Sequence, residues 1–112
     1  MKIAVDAMGG DHAPREVIRG AVQAARELGL RVVLVGREEL LRDELKSMDV
    51  REGTVEVAHA SEVVGMSEVP GVAIRKKKNS SIRVGLNMVA EGVSSSFVSA
   101  GNSGAVMAGA LY

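Results

Sequence analysis

The stretch Arg31-Val32-Val33-Leu34-Val35-Gly36 decides the fold class. Its unbroken branched apolar run leaves no polar face, so a strand made from it must be covered on both sides. That is the situation of a strand inside a parallel sheet, and the flanking segments supply the covering helices. Upstream, Val17, Ile18, Ala21, Val22, Ala25 and Leu28 recur at helical spacing on one face, and the pattern ends near Gly29. Pro14 suits the first helical position, where a missing N–H costs nothing. Downstream, Leu41, Leu45 and Met48 form a stripe over about Glu38 to Met48. Lys2 to Asp6 and Thr54 to Ala58 read as two further strands. The alternation predicts a parallel-sheet, three-layer α/β/α fold.

Beyond Ala58 the rhythm changes. Ser61 to Pro70 lacks a period and reads as a loop of functional length. Pro70 opens a short helix through Ile74, which runs into Arg75-Lys76-Lys77-Lys78. Ser80 or Ser81 can cap the next helix, with Ile82, Leu86, Val89 and Val93 as buried positions and Gly92 at its end. Ser95 to Ser99 gives a fourth strand, followed by Ala100-Gly101-Asn102-Ser103-Gly104 and an Ala-rich helical start. The stripes that contain Met48, Met88 and Met107 read as core. No internal repeat, low-complexity segment or interdomain linker stands out. The sequence stops at Tyr112 inside the last helix, so residues 1–112 read as the N-terminal portion of one larger domain, truncated within a helix. Its last strand would offer an open edge for dimerisation or aggregation.

Composition narrows the function. The 14 basic and 14 acidic residues cancel, so net charge gives no support to a nucleic-acid or membrane partner. Phe97 and Tyr112 are the sole aromatic residues, which argues against a surface that stacks bases. The absence of cysteine excludes disulfides, thiolate metal sites and a Cys nucleophile. Lys2 is followed by a short apolar run that Asp6 interrupts, unlike the core of an export signal. No apolar stretch approaches the length of a membrane span, and the chain reads as soluble. No His, Asp and Glu spacing suits a metal, and His59 reads as structural.

Three segments could carry chemistry. Ser99-Ala100-Gly101-Asn102-Ser103-Gly104-Ala105 follows a strand and opens a helix, whose first N–H groups have no partners of their own. Those donors and the positive end of the helix dipole suit phosphate, and Asn102 and Ser103 add side-chain donors. A plain strand–helix turn with a Ser or Asn cap would use the same residues. Asp6-Ala7-Met8-Gly9-Gly10-Asp11-His12-Ala13-Pro14 also lies at the carboxyl end of a strand, where open α/β sheets bind ligands. Gly9 and Gly10 permit close approach, and Asp6, Asp11 and His12 offer acceptors; alternatively Asp11 is a helix cap and His12 a solvated residue. Arg75-Lys76-Lys77-Lys78-Asn79-Ser80-Ser81 can neutralise a phosphate or steer an acidic partner, or can be a solvated face. Neither glycine loop has dinucleotide or P-loop spacing, and Ser103 lacks the serine-hydrolase elbow.

Taken together these segments resemble the PlsX-type phosphate acyltransferases. Met1 through Pro14 is similar to their opening signature. Ala73-Ile74-Arg75 with Lys77-Lys78 and Ser80-Ser81 is similar to their basic segment, and Val98 through Ala105 to their third motif. Ser103 stands where the family usually has Thr, and Ser94-Ser95-Ser96 replaces an entry to the fourth strand that usually carries an acid. The resemblance implies an isocitrate/isopropylmalate dehydrogenase-like fold, of which this chain is the N-terminal part. It implies transfer of a fatty acyl group from acyl-acyl-carrier-protein to inorganic phosphate, in the cytoplasm or at the inner face of the membrane. It further implies a homodimer and no metal or organic cofactor. On this reading Gly9, Gly10, Lys77, Lys78, Ser80, Ser81, Ser99, Gly101, Ser103 and Gly104 bind phosphate or substrate. Asp11 or His12 takes or orients a proton, and Asn102 contributes to catalysis. The isolated chain is expected to be inactive, one side of a cleft being unable to align both substrates. The alternatives are a phosphotransacetylase-like or dehydrogenase-like enzyme of the same architecture, or a non-catalytic binding fragment.

Overall fold

The computed structural model describes residues 2–48, 50 and 53–111. The order is β1 (Lys2–Asp6), α1 (Arg15–Leu28), β2 (Arg31–Gly36), α2 (Glu38–Lys46), β3 (Val55–His59), α3 (Pro70–Lys76), α4 (Ser81–Ala90), β4 (Ser96–Val98) and α5 (Ser103–Leu111). The sheet runs β3-β2-β1-β4 with every pair parallel. Ala4 aligns with Val33 of β2 and Phe97 of β4, and Val33 aligns with Glu56 of β3.

The doubly covered strand is β2, where Val32, Val33, Leu34 and Val35 are all buried. Side chains alternate along a strand, so the run divides between two layers. Val32 and Leu34 join Ile18, Ala21, Val22 and Ala25 of α1 and Leu41 of α2 on one face. Val35 joins Ala4 and Ala60 on the other, where Val84 and Met88 of α4 and Phe97 of β4 pack against them. A third cluster of Val64, Ala73, Ile74, Ile82 and Ala105 ties α3, α4 and α5 together. These layers make the three-layer α/β/α arrangement. Fully buried Ile18, Leu34, Leu41, Ile74 and Ile82 each contribute about 1.5–3 kcal/mol of burial free energy.

Several sequence expectations shift. Helix α1 begins at Arg15, one residue after Pro14, and the Ala13–Pro14 peptide is cis. Leu28 is 70% exposed, and Val17 is half-buried. At 100° per residue, both fall roughly 70–90° from the centre of the buried stripe. Helix α2 stops at Lys46, two residues before Met48, although Met48 still packs against the core. Strand β3 lies one residue later than Thr54–Ala58, and β4 loses one residue at each end. Helix α3 continues past Ile74 and absorbs Arg75 and Lys76. Val93 is exposed because α4 ends at Ala90 and Gly92, at φ 77°, turns the chain away before it. Met107 is also exposed: α5 faces its neighbours through Ala105 and Gly109, and Met107 lies between them on the opposite side. Tyr112 lies outside the described residues.

Close approach of α4 to the sheet depends on Gly85. A Cβ there would lie 2.1 Å from Cε1 of Phe97. Gly85→Ala is therefore expected to destabilise the fold by about 1–2 kcal/mol, overpacking outweighing the helix-propensity gain. Adding Phe97→Leu should recover part of that loss. The urea midpoints of the two variants check the expectation.

Candidate functional site at the sheet's carboxyl edge

Strand order sets the site. The chain moves outward from β1 to β2 and β3, then returns to place β4 on the other side of β1. The loops after β1 and β4 therefore lie side by side where the strand order reverses, the place where open α/β sheets bind ligands. These are the two glycine loops.

The loops touch backbone to backbone. A Cβ built on Gly9 would lie 2.9 Å from the Gly101 nitrogen, 3.0 Å from the Gly101 Cα and 2.6 Å from Asp6 Oδ2. Gly10 has φ +100°, a region that side chains disfavour, and it faces Ala100. Asp6, the last residue of β1, is 1% exposed. A buried carboxyl group needs partners, and it has them. Oδ1 accepts the Met8 N–H at 3.0 Å, and Oδ2 accepts the Ser99 hydroxyl at 2.8 Å. The Ser99 Oγ in turn accepts the Gly101 N–H at 3.0 Å.

Asn102 is buried at the start of α5. Its Oδ1 accepts the Ala105 N–H at 3.1 Å, which caps the helix. Its Nδ2 donates to the carbonyls of Gly65, Met66 and Glu68 at 3.1, 3.4 and 3.0 Å. Asn102 thus fastens the 61–69 loop to α5 and has no amide hydrogen to spare. Its own C=O takes the Val106 N–H. The amides of Ser103 and Gly104 keep no acceptor among the described residues and stand at the positive end of the helix. The Ser103 side chain is exposed beside them.

The basic segment joins through the same loop. Lys77 Nζ donates to Glu68 Oε2 and to the Val63 carbonyl, each at 2.8 Å. Glu68 Oε2 also accepts the Gly65 N–H. The Lys77 hydrogen bond, then that of Gly65, hold the Glu68 carboxyl below its ordinary 4.5, against a smaller opposing effect of desolvation. Lys78 is exposed, and the structure places it outside this network. Ser80 caps α4, its Oγ accepting the Arg83 N–H at 3.2 Å. Ser81 is buried and its hydroxyl has no partner among the described residues, while its N–H binds the Glu62 carbonyl. Asp11 and His12 are exposed on the first loop, and the His12 carbonyl accepts the Glu16 N–H in the first turn of α1. His59 is structural: its Nδ1 accepts the Glu38 N–H at the start of α2.

The structure therefore joins Gly9 and Gly10 to Ser99 and Gly101, and joins Asn102 to Lys77 through Glu68. Asp6 is an acceptor, as its place at the end of an apolar strand before two glycines suggests. Glu68 stands apart from the sequence-predicted residues and carried no signal, because its role depends on how an aperiodic loop folds back. Among the described residues no group of three His, Asp or Glu side chains converges on a metal position, and no helix is long and apolar enough to cross a membrane.

Two outcomes follow from the clasp. Asn102→Asp puts an acceptor where a buried donor serves three carbonyls, with an expected loss of about 1–3 kcal/mol. Faster amide exchange across residues 65–68 would report it. Glu68 has a lowered folded pKa, so its contribution is complete above about 4.5 and fades as pH falls through the folded value. A stability titration from neutral to about pH 3 should show that loss, and Glu68→Gln should remove this part of the pH dependence.

Known proteins are similar to this sequence along its whole length. The chain is similar to a phosphate acyltransferase of Desulforamulus reducens, 56% identical over 112 residues, which covers 100% of this chain and 33% of the relative. It is 53% identical to a phosphate acyltransferase of Pelotomaculum thermopropionicum and 51% identical to one of Geobacter sulfurreducens, in each case over 100% of this chain and 32% of the relative. The chain spans about a third of the length of these curated relatives. Residues 1–112 match the fatty acid synthesis protein family throughout, and the chain belongs to that family.

Proposed function

We propose that this chain is the N-terminal third of a phosphate acyltransferase, which transfers a fatty acyl group from acyl-acyl-carrier-protein to inorganic phosphate. The observation that carries the reading is the pairing of two glycine loops at the sheet's switch point, beside the Ser103 and Gly104 amides, which keep no acceptor among the described residues. The names of the relatives support phosphate and an acyl group as the reactants. The isocitrate/isopropylmalate dehydrogenase-like architecture, a homodimer and a cytoplasmic place at the inner membrane face belong to the same reading. The product, acyl-phosphate, would feed phospholipid synthesis.

Phosphate is held by the Ser103 and Gly104 amides and the Ser103 hydroxyl, with the Gly9-Gly10 backbone closing the other side. A phosphate oxygen attacks the thioester carbonyl carbon, the C–S bond breaks, and the carrier thiol leaves with the proton from hydrogen phosphate. Asp11 or His12, both exposed on the first loop, is assigned to take or relay that proton. Neutral donors suit a nucleophile, since they orient phosphate without drawing off the electron density that it must share. The remaining two thirds of the protein supply the carrier-protein surface and the acyl pocket.

Full-length protein incubated with acyl-acyl-carrier-protein thioester and phosphate should form acyl-phosphate, detected as its hydroxamate. Turnover with acyl-coenzyme A or a nicotinamide cofactor in its place would overturn the reading. Ser103→Ala should raise the phosphate KM about tenfold, one hydrogen bond to a charged group being worth ~1.5 kcal/mol.

A further inference from the structure

We propose that Asp6 and Ser99 act as a pair of positioning residues, whose hydrogen bonds fix the spacing of the two glycine loops and thereby the affinity for the anion. This rests on the proposed phosphate site, and neither side chain is assigned to touch phosphate.

The geometry leaves both groups occupied. Asp6 is 1% exposed and ends β1; one carboxyl oxygen holds the Met8 N–H of the first loop and the other holds the Ser99 hydroxyl of the second. Ser99 gives its hydrogen to Asp6 and receives the Gly101 N–H. Donors therefore run in one direction, from Gly101 through Ser99 to Asp6. Each member needs the polarity of the next. The Gly101 N–H is also removed from the set that could bind an anion, so the chain's effect on phosphate is indirect.

What the pair positions is the contact of Gly9 with Gly101. Those backbones approach so closely that a Cβ on Gly9 would meet Gly101 at 2.9 Å. Asn102, Ser103 and Gly104 follow Gly101 directly, so a displacement of Gly101 carries the free amides with it. Strand pairing alone does not fix this spacing, because the β1–β4 ladder ends at Val5 and Val98. The hydrogen bonds from Asp6 and Ser99 continue the connection from that last rung into the loops.

Substitutions separate positioning from folding. Asp6→Asn keeps the shape but places an NH2 group or a weaker acceptor opposite the Ser99 hydroxyl, which reverses or breaks the donor sequence. Ser99→Ala removes the relay, and Ser99→Thr retains it. In the full-length protein, Asp6→Asn and Ser99→Ala should each lower kcat/KM for phosphate by about a hundredfold, the scale of a 1 Å misplacement. The KM for the acyl donor should stay near the wild-type value, Ser99→Thr should restore phosphate use, and the double variant should be no worse than the poorer single variant. Wild-type phosphate kinetics in Asp6→Asn would overturn the proposal. So would equal losses in both substrates together with a fall in melting temperature, or failure of Ser99→Thr to rescue. Phosphate binding by equilibrium dialysis is measured on the same proteins. If the wild type binds phosphate but forms no acyl-phosphate, the proposed reaction falls and the pair is judged on binding alone. If it binds none, both fall.

Discussion

A buried carboxyl group at the end of a strand is the constraint around which the rest of this site is arranged. Asp6 sits where β1 gives way to loop, at 1% exposure, in a place where an unpartnered acid would be costly. Its oxygens are satisfied by one donor from the loop that follows it and one from the loop after β4, 93 residues later in sequence. The local turn and the long-range closure are thus made by the same side chain. Parallel strands cannot be joined by a short hairpin, so the contact between the β1 and β4 loops is made across the long connection that carries β2, β3 and four helices. Asp6 and Ser99 meet only when the sheet order is correct, and the Ser103 and Gly104 amides take their place beside the first loop only then.

A second fastening holds the 61–69 loop against the start of α5. The 61–69 loop has no repeating hydrogen-bond ladder of its own. It is held from outside by Asn102, which reaches three of its carbonyls, and by Lys77, which binds the Val63 carbonyl and the Glu68 carboxyl group. Pro70 and Gly104 add a packing contact in which a Cβ on Gly104 would meet the proline ring at 2.5 Å. The start of α3 and the start of α5 are therefore locked together, with Asn102 acting as helix cap and loop anchor at once. This accounts for a buried asparagine in a helix-opening sequence, where a serine or threonine cap would satisfy the helix but leave the loop unheld.

Much of this architecture is legible in the residues. The Val32–Val35 run, the period of α1 and the glycines at the strand ends identify a parallel α/β sheet, because burial on two faces and helical spacing are local patterns. Edges of those patterns are less secure. Leu28 and Val17 belong to the apolar period yet sit at its margin, and Val93 follows a helix that has already ended. Met107 shows another limit: an Ala- and Gly-rich helix is apolar all round, so its sequence does not say which side meets a neighbour. At the site, the two glycine loops and the cap at Ser80 are visible as sequence signals. The commitments of Ser99, Asn102 and Lys77 are not. Each could donate to an anion by type, and the partners that occupy them come from segments distant in the chain.

Those commitments change the electrostatic character of the crevice. Lys77 lies in the segment that suggests a cluster of cations for phosphate, yet its ammonium group is paired with Glu68 and a carbonyl. The pair leaves no net charge at that point, and the Asn102 amide adds none. What α5 offers from its first turn is backbone N–H and the Ser103 hydroxyl, strengthened by the helix dipole but without a full charge. Such donors bind an anion through geometry more than through attraction, so their value depends on placement to within a fraction of an ångström. A cation on a flexible stem tolerates a loose scaffold; a pair of helix-end amides does not. The buried Asp6–Ser99–Gly101 connection, the glycine contact that it permits and the Asn102 clasp are the rigid supports that the proposed anion site requires.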